Sequence, residues 1–511
     1  MTIAAREAAT RMGARLLRAA PPRVRDSYPL RRAGRRLLLR PDLEQVPQRP
    51  IGAKLELTYH CNLRCSFCYT DSPRRTLART AEMEDDEWRR IVEQTIELGV
   101  IEAVVTGGEP LLRRDLTLEV VERLTGAGVM TILNTNGWFV DEAAAERLAA
   151  SGARVHVSID GASPELHDAS RGVRGSWRRA VDAVDMLLSR GVRVQVVHVV
   201  TPRNEGAFDE LLEQMWTLGP SSLRVAPVGK IGAASRGGEW AVDVPALRRA
   251  VDRFGAPPRP RVLVHDTVPG NVVATDRAPQ AFLVRPNGAF LADSQHPFSF
   301  GHAARQPLID CWRGLRESWR SERVEGWRRG ARNPDQAAAR DLVAYRDEEE
   351  PVAGLAPERG STRKGGEELE QALELLATKA PDFPADGRGE IASATNRVRA
   401  LALGRRYRLA PVRWSGSSDG RRLVRVIASG EVRALNASAG RVMDALDDGS
   451  AEDAASALLA ASPGIDRSRA ERDALAAAGA LVEAGIVVPA LAPRDDLASA
   501  ADEGSLSGLP D

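Results

Sequence analysis

Cys61, Cys65 and Cys68 stand in the run Tyr59-His60-Cys61-Asn62-Leu63-Arg64-Cys65-Ser66-Phe67-Cys68, and the chain has one other cysteine, Cys311. Three thiolates at C-x₃-C-x₂-C spacing can grip three irons of a [4Fe–4S] cluster, whose full complement is four cysteines. One iron is then open to a small-molecule ligand. Zinc is the competing metal, but it wants four ligands, usually from two paired units. His60 is adjacent to Cys61 and badly placed to close a tetrahedron. Disulfides compete too, yet three cysteines this close cannot all pair, and no signal-peptide pattern is read before them.

Such a loop needs a scaffold to hold it. From about residue 51 to residue 235, strand-like runs alternate with amphipathic stretches. Strands are predicted at Lys54–Thr58, Glu102–Thr106, Val129–Asn134, Arg154–Ile159, Arg193–Val200 and Ser222–Pro227. Helices are predicted at Asp85–Leu98, Leu116–Gly126, Asp141–Ser151, Trp177–Arg190 and Ala207–Leu218. Six β-then-α steps imply parallel strands with crossover helices, a partial (β/α)6 barrel of TIM type in the α/β class. Sites in such folds gather at the C-terminal strand ends. The cysteine loop follows the first strand.

Further motifs fall at the other strand ends. Thr106-Gly107-Gly108-Glu109-Pro110 follows the second strand, and Asn134-Thr135-Asn136-Gly137 follows the third. Ser158-Ile159-Asp160-Gly161, then His167-Asp168-Ala169-Ser170-Arg171-Gly172, follows the fourth, and Pro227-Val228-Gly229 follows the sixth. Two glycines let a backbone approach a ligand closely, and Glu109 offers an acceptor for an ammonium group. Alone, Gly-Gly-Glu-Pro is an ordinary strand-to-helix loop. One βα step after C-x₃-C-x₂-C, it is a specific signal.

Together these features resemble the radical S-adenosylmethionine (radical SAM) superfamily over residues 51–235. The resemblance implies that Cys61, Cys65 and Cys68 ligate the cluster. It implies that Phe67 lines the adenine pocket and that Gly107, Gly108 and Glu109 hold the methionine amino group. Ser158 would contact the ribose or the methionine end, and the backbone near Ala226 would flank the adenine. Asn136 and Asp160, in their strand-end motifs, belong to the same implied cofactor set. Arg171 would pair the methionine carboxylate, with Arg179 as its rival and a surface position as the alternative. The implied chemistry is one-electron cleavage of the sulfonium to a 5′-deoxyadenosyl radical, which takes a hydrogen atom from the substrate.

Residues 241–330 break the βα rhythm. Short strands are predicted at Arg261–Val264 and Ala281–Val284, and a turn at Pro286-Asn287-Gly288 makes a hairpin from Phe282–Arg285 and Ala289–Leu291. A helix is predicted over Leu308–Glu325. The runs Leu283–Ser294, Phe300-Gly301-His302 and Leu308–Trp312 resemble the SPASM segment of peptide-modifying radical SAM enzymes. That segment normally carries cysteines for auxiliary clusters, but Ala292-Asp293-Ser294 stands where one is expected. The expectation is a small α+β SPASM-like remnant that shapes the substrate cavity without metal. Two-electron oxidation then lacks an internal acceptor, so redox-neutral outcomes gain weight. Cys311 is either a hydrogen-atom donor or a small buried hydrophobe on a helix. His296 and His302 are assigned no role.

Residues from about 405 to 490 predict three strands, Pro411–Ser415, Arg421–Ile427 and Glu431–Leu435, with turns at Ser418-Asp419-Gly420 and Ser429-Gly430. Three helices follow at Ala437–Leu446, Ala451–Ala461 and Ser468–Gly485, then an apolar piece, Ile486–Val488. This order describes a winged-helix-like module. Gly430–Ala439, followed by Leu446-Asp447-Asp448-Gly449-Ser450, resembles the PqqD-like peptide-recognition domain. The resemblance implies that a leader peptide adds as a strand at Glu431–Leu435, beside a wall formed by Ser468–Gly485. DNA binding is the rival, but Glu471, Asp473 and Glu483 suit it poorly. A docking or dimerisation module is the other.

Length and composition bound the rest. A chain of 511 residues predicts about three domains. A hydrophobic content of 43% supports real cores, and a net charge of +1 gives no global pull toward nucleic acid. No apolar run approaches the roughly 20 residues of a membrane span, and reduced thiols place the protein in the cytoplasm. The expected order is a basic extension (1–50), the partial barrel (51–240), the SPASM-like segment (241–330), a flexible linker around a short helix Glu367–Ala377 (331–400), the PqqD-like domain (401–490) and a disordered tail (491–511). The arginine-rich start, Arg6 through Arg40, reads as a solvated helix or as a dock for a membrane or acidic partner. The expected function is a radical SAM enzyme acting on a ribosomally made precursor peptide, with an external electron donor such as a flavodoxin or ferredoxin. A free small-molecule substrate and a non-enzymatic redox sensor or scaffold are the alternatives.

Overall fold

The computed structural model describes residues 46–72, 81–229, 232–236, 240–254, 260–265, 278–294, 298–331, 350–351, 388–410, 412–416, 422–426, 432–462, 464–483 and 486–490. The basic extension up to residue 45, Glu367–Ala377, His296, the turns at residues 418–420 and 429–430 and the acidic tail lie outside the described residues. Two compact units divide the chain, the second starting at Ala402 in its main part.

The first unit opens with β1 (Gly52–Glu56), α1 (Asp85–Glu97), β2 (Glu102–Thr106), α2 (Arg114–Gly126), β3 (Met130–Thr135), α3 (Glu142–Ser151), β4 (Arg154–Ser158), α4 (Pro164–Arg171) and α5 (Ser176–Ser189). It continues with β5 (Arg193–Val200), α6 (Phe208–Leu218), β6 (Ser222–Pro227), α7 (Val244–Phe254), β7 (Arg261–Val264), β8 (Ala281–Val284), β9 (Phe290–Leu291), β10 (Phe298–Ser299), α8 (Leu308–Ser318), α9 (Glu322–Ala331) and β11 (Glu350–Pro351). The predicted strands are found to within two residues at each end. Caps explain the helix limits. Glu84 and Glu87 form a capping box on α1, and Asp141 caps α3, which stops at left-handed Gly152.

β1 to β9 make one sheet in the order β7-β6-β5-β4-β3-β2-β1-β8-β9. Neighbouring pairs from β7 to β8 are parallel, and β8–β9 is an antiparallel hairpin. The sequence expects six parallel strands and a separate middle segment. The structure instead adds β7 and β8 to the two sides of that sheet. An unpaired edge strand exposes a row of backbone donors and acceptors, and the apolar β8, fully buried from Phe282 to Val284, covers the edge of β1. Alternating burial along β5 puts Val194, Val196, His198 and Val200 in the helix-covered layer.

Three local differences follow. α4 occupies what the sequence presents as a motif-bearing loop. Its signals were present: Ser163 caps it, Pro164 starts it and left-handed Gly172 ends it. The single helix expected over Leu308–Glu325 is two, α8 and α9, broken at residues 319–321. The expected linker also contains structure. β11 pairs with β10, and α10 (Arg388–Gly404) begins inside the linker, where Thr395 accepts from Gln214 at 3.1 Å and Arg397 pairs with Asp182 at 2.5 Å.

The second unit contains β12 (Tyr407–Leu409), β13 (Val412–Gly416), β14 (Arg422–Val426), β15 (Val432–Leu435), α11 (Ala437–Ala445), α12 (Ala451–Ala461), α13 (Arg467–Glu483) and β16 (Val487–Pro489). β13-β14-β15 is an antiparallel sheet. β12, which periodicity alone did not reveal, pairs with β16, the predicted last apolar piece. Val424, Val442, Met443, Leu446, Leu458, Leu481 and Ile486 form its core, with Ala454, Ala470, Ala474 and Ala478 letting the helices pack closely. Among the described residues no helix is long and apolar enough to cross a membrane.

Candidate functional site

The cysteine loop leaves β1 at Leu57 and is tied down before the first cysteine. Arg113 donates to the Leu57 carbonyl at 2.9 Å. The Glu82 carboxylate accepts from the Tyr59 N–H at 2.5 Å and the Thr58 hydroxyl at 2.9 Å. The glycine loop after β2 lies against the same backbone. Gly108 N–H donates to Thr58 O at 2.7 Å and Glu109 N–H to His60 O at 2.8 Å. A Cβ on Gly108 would run into the His60 carbonyl oxygen, and one on Gly107, whose φ is +144°, would lie 2.5 Å from Thr58 O. The sequence assigns these glycines to a ligand; in the structure both also lie against the cysteine loop. Glu82 and Arg113 carry no motif that marks them in the sequence.

The three thiols lie in a shared apolar setting of Leu63, Phe67, Val173 and Ala234, flanked by Trp138, Val199, Val228 and Trp240. Cys61 Sγ accepts from Leu63 N–H at 3.4 Å and is 4.0 Å from Asn136 Nδ2. Cys65 Sγ is 3.8 Å from Arg171 Nη1, and Cys68 Sγ is 3.1 Å from the Thr70 hydroxyl. Burial pushes the Cys61 thiol well above its ordinary value, helped by the neighbouring thiols. Burial also pushes Cys65 up to about 11, against the pull of Arg171. Such thiols ionise as ligands when a metal centre supplies the compensating charge. Among the described residues no three His, Cys, Asp or Glu side chains converge as a single ion requires. The donor set is three thiols on one loop, which fits a cluster with one iron left open.

Around the thiols, Glu109 is fully buried. Its carboxylate accepts from Leu111 N–H at 3.1 Å, Thr135 hydroxyl at 2.8 Å and Asn136 N–H at 2.8 Å. Burial pushes it up to about 7 in spite of these bonds. A carboxylate so desolvated would gain from an ammonium partner. Asn136 also donates to Asn62 Oδ1 at 2.8 Å, tying the end of β3 to the residue after Cys61. Ser158 is half-buried at the end of β4, and Ala226 on β6 is paired with Val199. These implied contacts do gather at the same ends of the strands.

Asp160 and Arg171 meet each other. Asp160 Oδ2 lies 2.6 Å from Arg171 Nε, and its Oδ1 accepts from Val199 N–H at 2.8 Å. Arg171 is 8% exposed and lies over the Phe67 ring, 5.6 Å from its centroid. Arg179, the rival, is exposed, with its guanidinium 5.7 Å from the Trp138 ring centroid. Cys311 is 1% exposed, with its thiol pushed up to about 12 by burial. A second group missed by the sequence sits on β1 and β8. Tyr69 hydroxyl donates to buried Glu56 at 3.1 Å, and Lys54 and Arg285 lie 3.4 and 3.9 Å from the same carboxylate.

In the second unit β15, among the described residues, pairs with β14 alone and is an edge of its sheet. A cavity of about 360 Å³ lies between the helices, lined by Asn436, Val442, Leu458, Ile465, Arg469 and Asp473. The expected strand edge and the expected helix wall are therefore both formed in this unit.

Comparisons with known proteins match these two regions separately. Residues 55–215 match the radical SAM superfamily, and residues 422–487 match coenzyme PQQ synthesis protein D (PqqD). The chain is 28% identical over 280 residues to a PqqA peptide cyclase of Rhizobium meliloti, covering 52% of this chain and 73% of that protein. It is 32% identical over 179 residues to an AdoMet-dependent heme synthase of Methanosarcina barkeri, covering 34% of this chain and 50% of that protein. Streptococcus suis SuiB aligns with a TM-score of 0.44 at 17% identity, over 59% of this chain and 72% of that one. Radical SAM domains work with a [4Fe–4S] cluster and S-adenosylmethionine, the cofactors that the thiol set and the Glu109 loop suit. The chain thus carries a radical SAM domain over residues 55–215 and a PqqD domain over residues 422–487.

Proposed function

We propose that the protein is a radical SAM maturase of a ribosomally made precursor peptide. The observation that carries this reading is the union in one chain of the three-thiol loop at the end of β1 with an open-edged PqqD sheet. Relatives named for cyclising a peptide support it. In this reading a leader segment adds to β15, where backbone hydrogen bonds supply affinity and the helix-lined cavity accepts a side chain. Holding the leader raises the effective concentration of the core segment.

Cys61, Cys65 and Cys68 would hold the cluster. Bound with S-adenosylmethionine, such a cluster would supply the chemistry of one-electron sulfonium cleavage and hydrogen-atom abstraction. The chain's own residues position and shield. Glu109 faces the methionine ammonium as a carboxylate. Phe67, Ser158 and the backbone at Ala226 bound the nucleoside, and Asn136 fixes the turn beside Cys61. Arg179 is the guanidinium left to meet the methionine carboxylate, because Arg171 is engaged elsewhere. The apolar ring of Val173, Trp138 and Trp240 keeps water from a reactive radical. A flavodoxin or ferredoxin in the cytoplasm would reduce the cluster.

The test is anaerobic incubation of the reconstituted full chain with S-adenosylmethionine, reductant and a candidate precursor peptide. Peptide-dependent 5′-deoxyadenosine release with a mass change, or deuterium uptake without one, supports the reading. Release that needs a small metabolite and ignores peptide would replace it. A chain that binds iron and never cleaves the sulfonium would be a sensor or scaffold.

A further inference from the structure

Arg171 is a buried cation with three defined neighbours. Its Nε meets Asp160 Oδ2 at 2.6 Å, its Nη1 lies 3.8 Å from Cys65 Sγ, and its guanidinium carbon lies over the Phe67 ring, 5.6 Å from the centroid. The Arg171 carbonyl accepts from Arg64 N–H at 2.8 Å, and Gly172 packs so closely on Arg64 that a Cβ there would lie 2.6 Å from its carbonyl oxygen. The end of α4 is thereby fastened to the residue before Cys65. Asp160 is fixed in turn. It accepts from Val199, its N–H donates to His167 Nδ1 at 2.9 Å, and its carbonyl accepts from Asn204 at 2.7 Å.

The Asp160–Arg171 pair is neutral in sum but directional, with its positive end turned to sulfur. Buried charges keep most of their field because little water screens them. An N–H donor aimed at a ligating sulfur stabilises the more electron-rich state of an iron–sulfur centre, and hydrogen bonds to sulfur are among the levers that set its potential. A guanidinium already committed to a carboxylate and a thiol is a poor partner for a second carboxylate.

We propose that Arg171 is not a ligand of the methionine carboxylate but a positioning residue for the iron–sulfur centre, whose contact with Cys65 raises the reduction potential of the bound cluster. The inference rests on the reading that the three cysteines hold such a cluster. It goes beyond that reading in removing Arg171 from the nucleoside site and giving it an electronic role.

The test is a reductive titration of the anaerobically reconstituted full chain, without S-adenosylmethionine, followed by electron paramagnetic resonance. Arg171→Gln should hold iron as the unsubstituted chain does and move its midpoint to more negative potential. Arg171→Lys should move it less, in the same direction. Binding of S-adenosylmethionine by Arg171→Gln should stay within about twofold, whereas Arg179→Gln should weaken it on the order of tenfold with an unmoved midpoint. An unmoved midpoint in an iron-loaded Arg171→Gln overturns the inference, as does a loss of S-adenosylmethionine affinity on the order of tenfold in that variant. Loss of iron from both Arg171 variants overturns the tuning role in favour of simple support of the loop. An unsubstituted chain without iron would defeat the cluster reading as well, so the two failures are distinguishable.

Discussion

The loop that carries the cysteines is fastened at successive backbone positions, whereas the β13–β15 sheet, among the described residues, ends in a strand with one side open. At the loop, Glu82, Arg113, Gly108 and Glu109 occupy the main chain of residues 57–60, and two buried carboxylates, Glu109 and Asp160, fix the walls. At β15, among the described residues, pairing is with β14 alone. The first arrangement suits a centre whose geometry must exist before its small ligand arrives. The second suits a partner that brings its own backbone and completes the sheet on binding. One region invests in preorganisation, and the other in an unfilled hydrogen-bonding row.

The comparison breaks most sharply if damage to one region reaches the other. Cys65→Ala should remove stable iron and cut 5′-deoxyadenosine release by about a thousandfold or more, an order-of-magnitude expectation for losing one of three ligands. Peptide binding by the same variant, measured by fluorescence anisotropy, should be unchanged. Gly108→Ala keeps every ligand but drives a Cβ into the His60 carbonyl. Displacing the loop should cost about 1–3 kcal/mol of stability and slow release about a hundredfold, the scale of a 1 Å misplacement.

The opposite test strikes the sheet edge. Alternate residues of an edge strand point their N–H outward, so Arg433→Pro and Ala434→Pro should differ. One should weaken peptide binding about tenfold, or about 1.4 kcal/mol, with little loss of stability. The other should lower the melting temperature of the second unit by breaking its pairing with β14.

A pH profile sharpens the comparison without mutation. Glu109 is raised from 4.5 to about 7 by burial, so it is protonated below that value and ionised above it. In its proposed role, the carboxylate that would meet an ammonium is lost as pH falls through about 7. Affinity for S-adenosylmethionine, followed by equilibrium dialysis, should weaken by up to about tenfold per pH unit below that point. Stability carries the opposite sign. A raised carboxyl pKa means the folded state holds the extra proton, so this group's contribution is present below the unfolded value and lost as pH rises from about 4.5 to about 7. The proposed leader binding at β15 would use backbone groups and should be flat over the same range. The smallest effect is expected at Cys311, whose buried thiol packs beside Gly301. Cys311→Ala should cost about 1 kcal/mol and leave peptide modification within about twofold, as for a small buried hydrophobe.

Much of this was legible in the residues. Alternating apolar runs placed the strands, and the thiol spacing together with Gly107-Gly108-Glu109 one step later marked the site. The errors share a cause. β7 and β8 looked like members of another segment because a four-residue strand carries no mark of its sheet partner, and the pairing of β8 with β1 spans more than two hundred residues. α4 is only eight residues long, so the motif between Ser163 and the terminating Gly172 reads equally as a loop. Arg171 and Arg179 could not be ranked from spacing, since both lie downstream of Ser158 at distances that permit either role.

The chain's residue types alone determined that three thiols, a glycine pair and a carboxyl group would meet at the ends of parallel strands. Local propensity and covalent spacing suffice for that, because each motif directly follows its own strand. Tertiary packing decided which guanidinium faces sulfur, which carboxyl loses its water and which strand keeps an open edge. Those outcomes depend on burial and on partners far apart in the chain, and a charge acquires its chemical character only from the neighbours that folding brings to it.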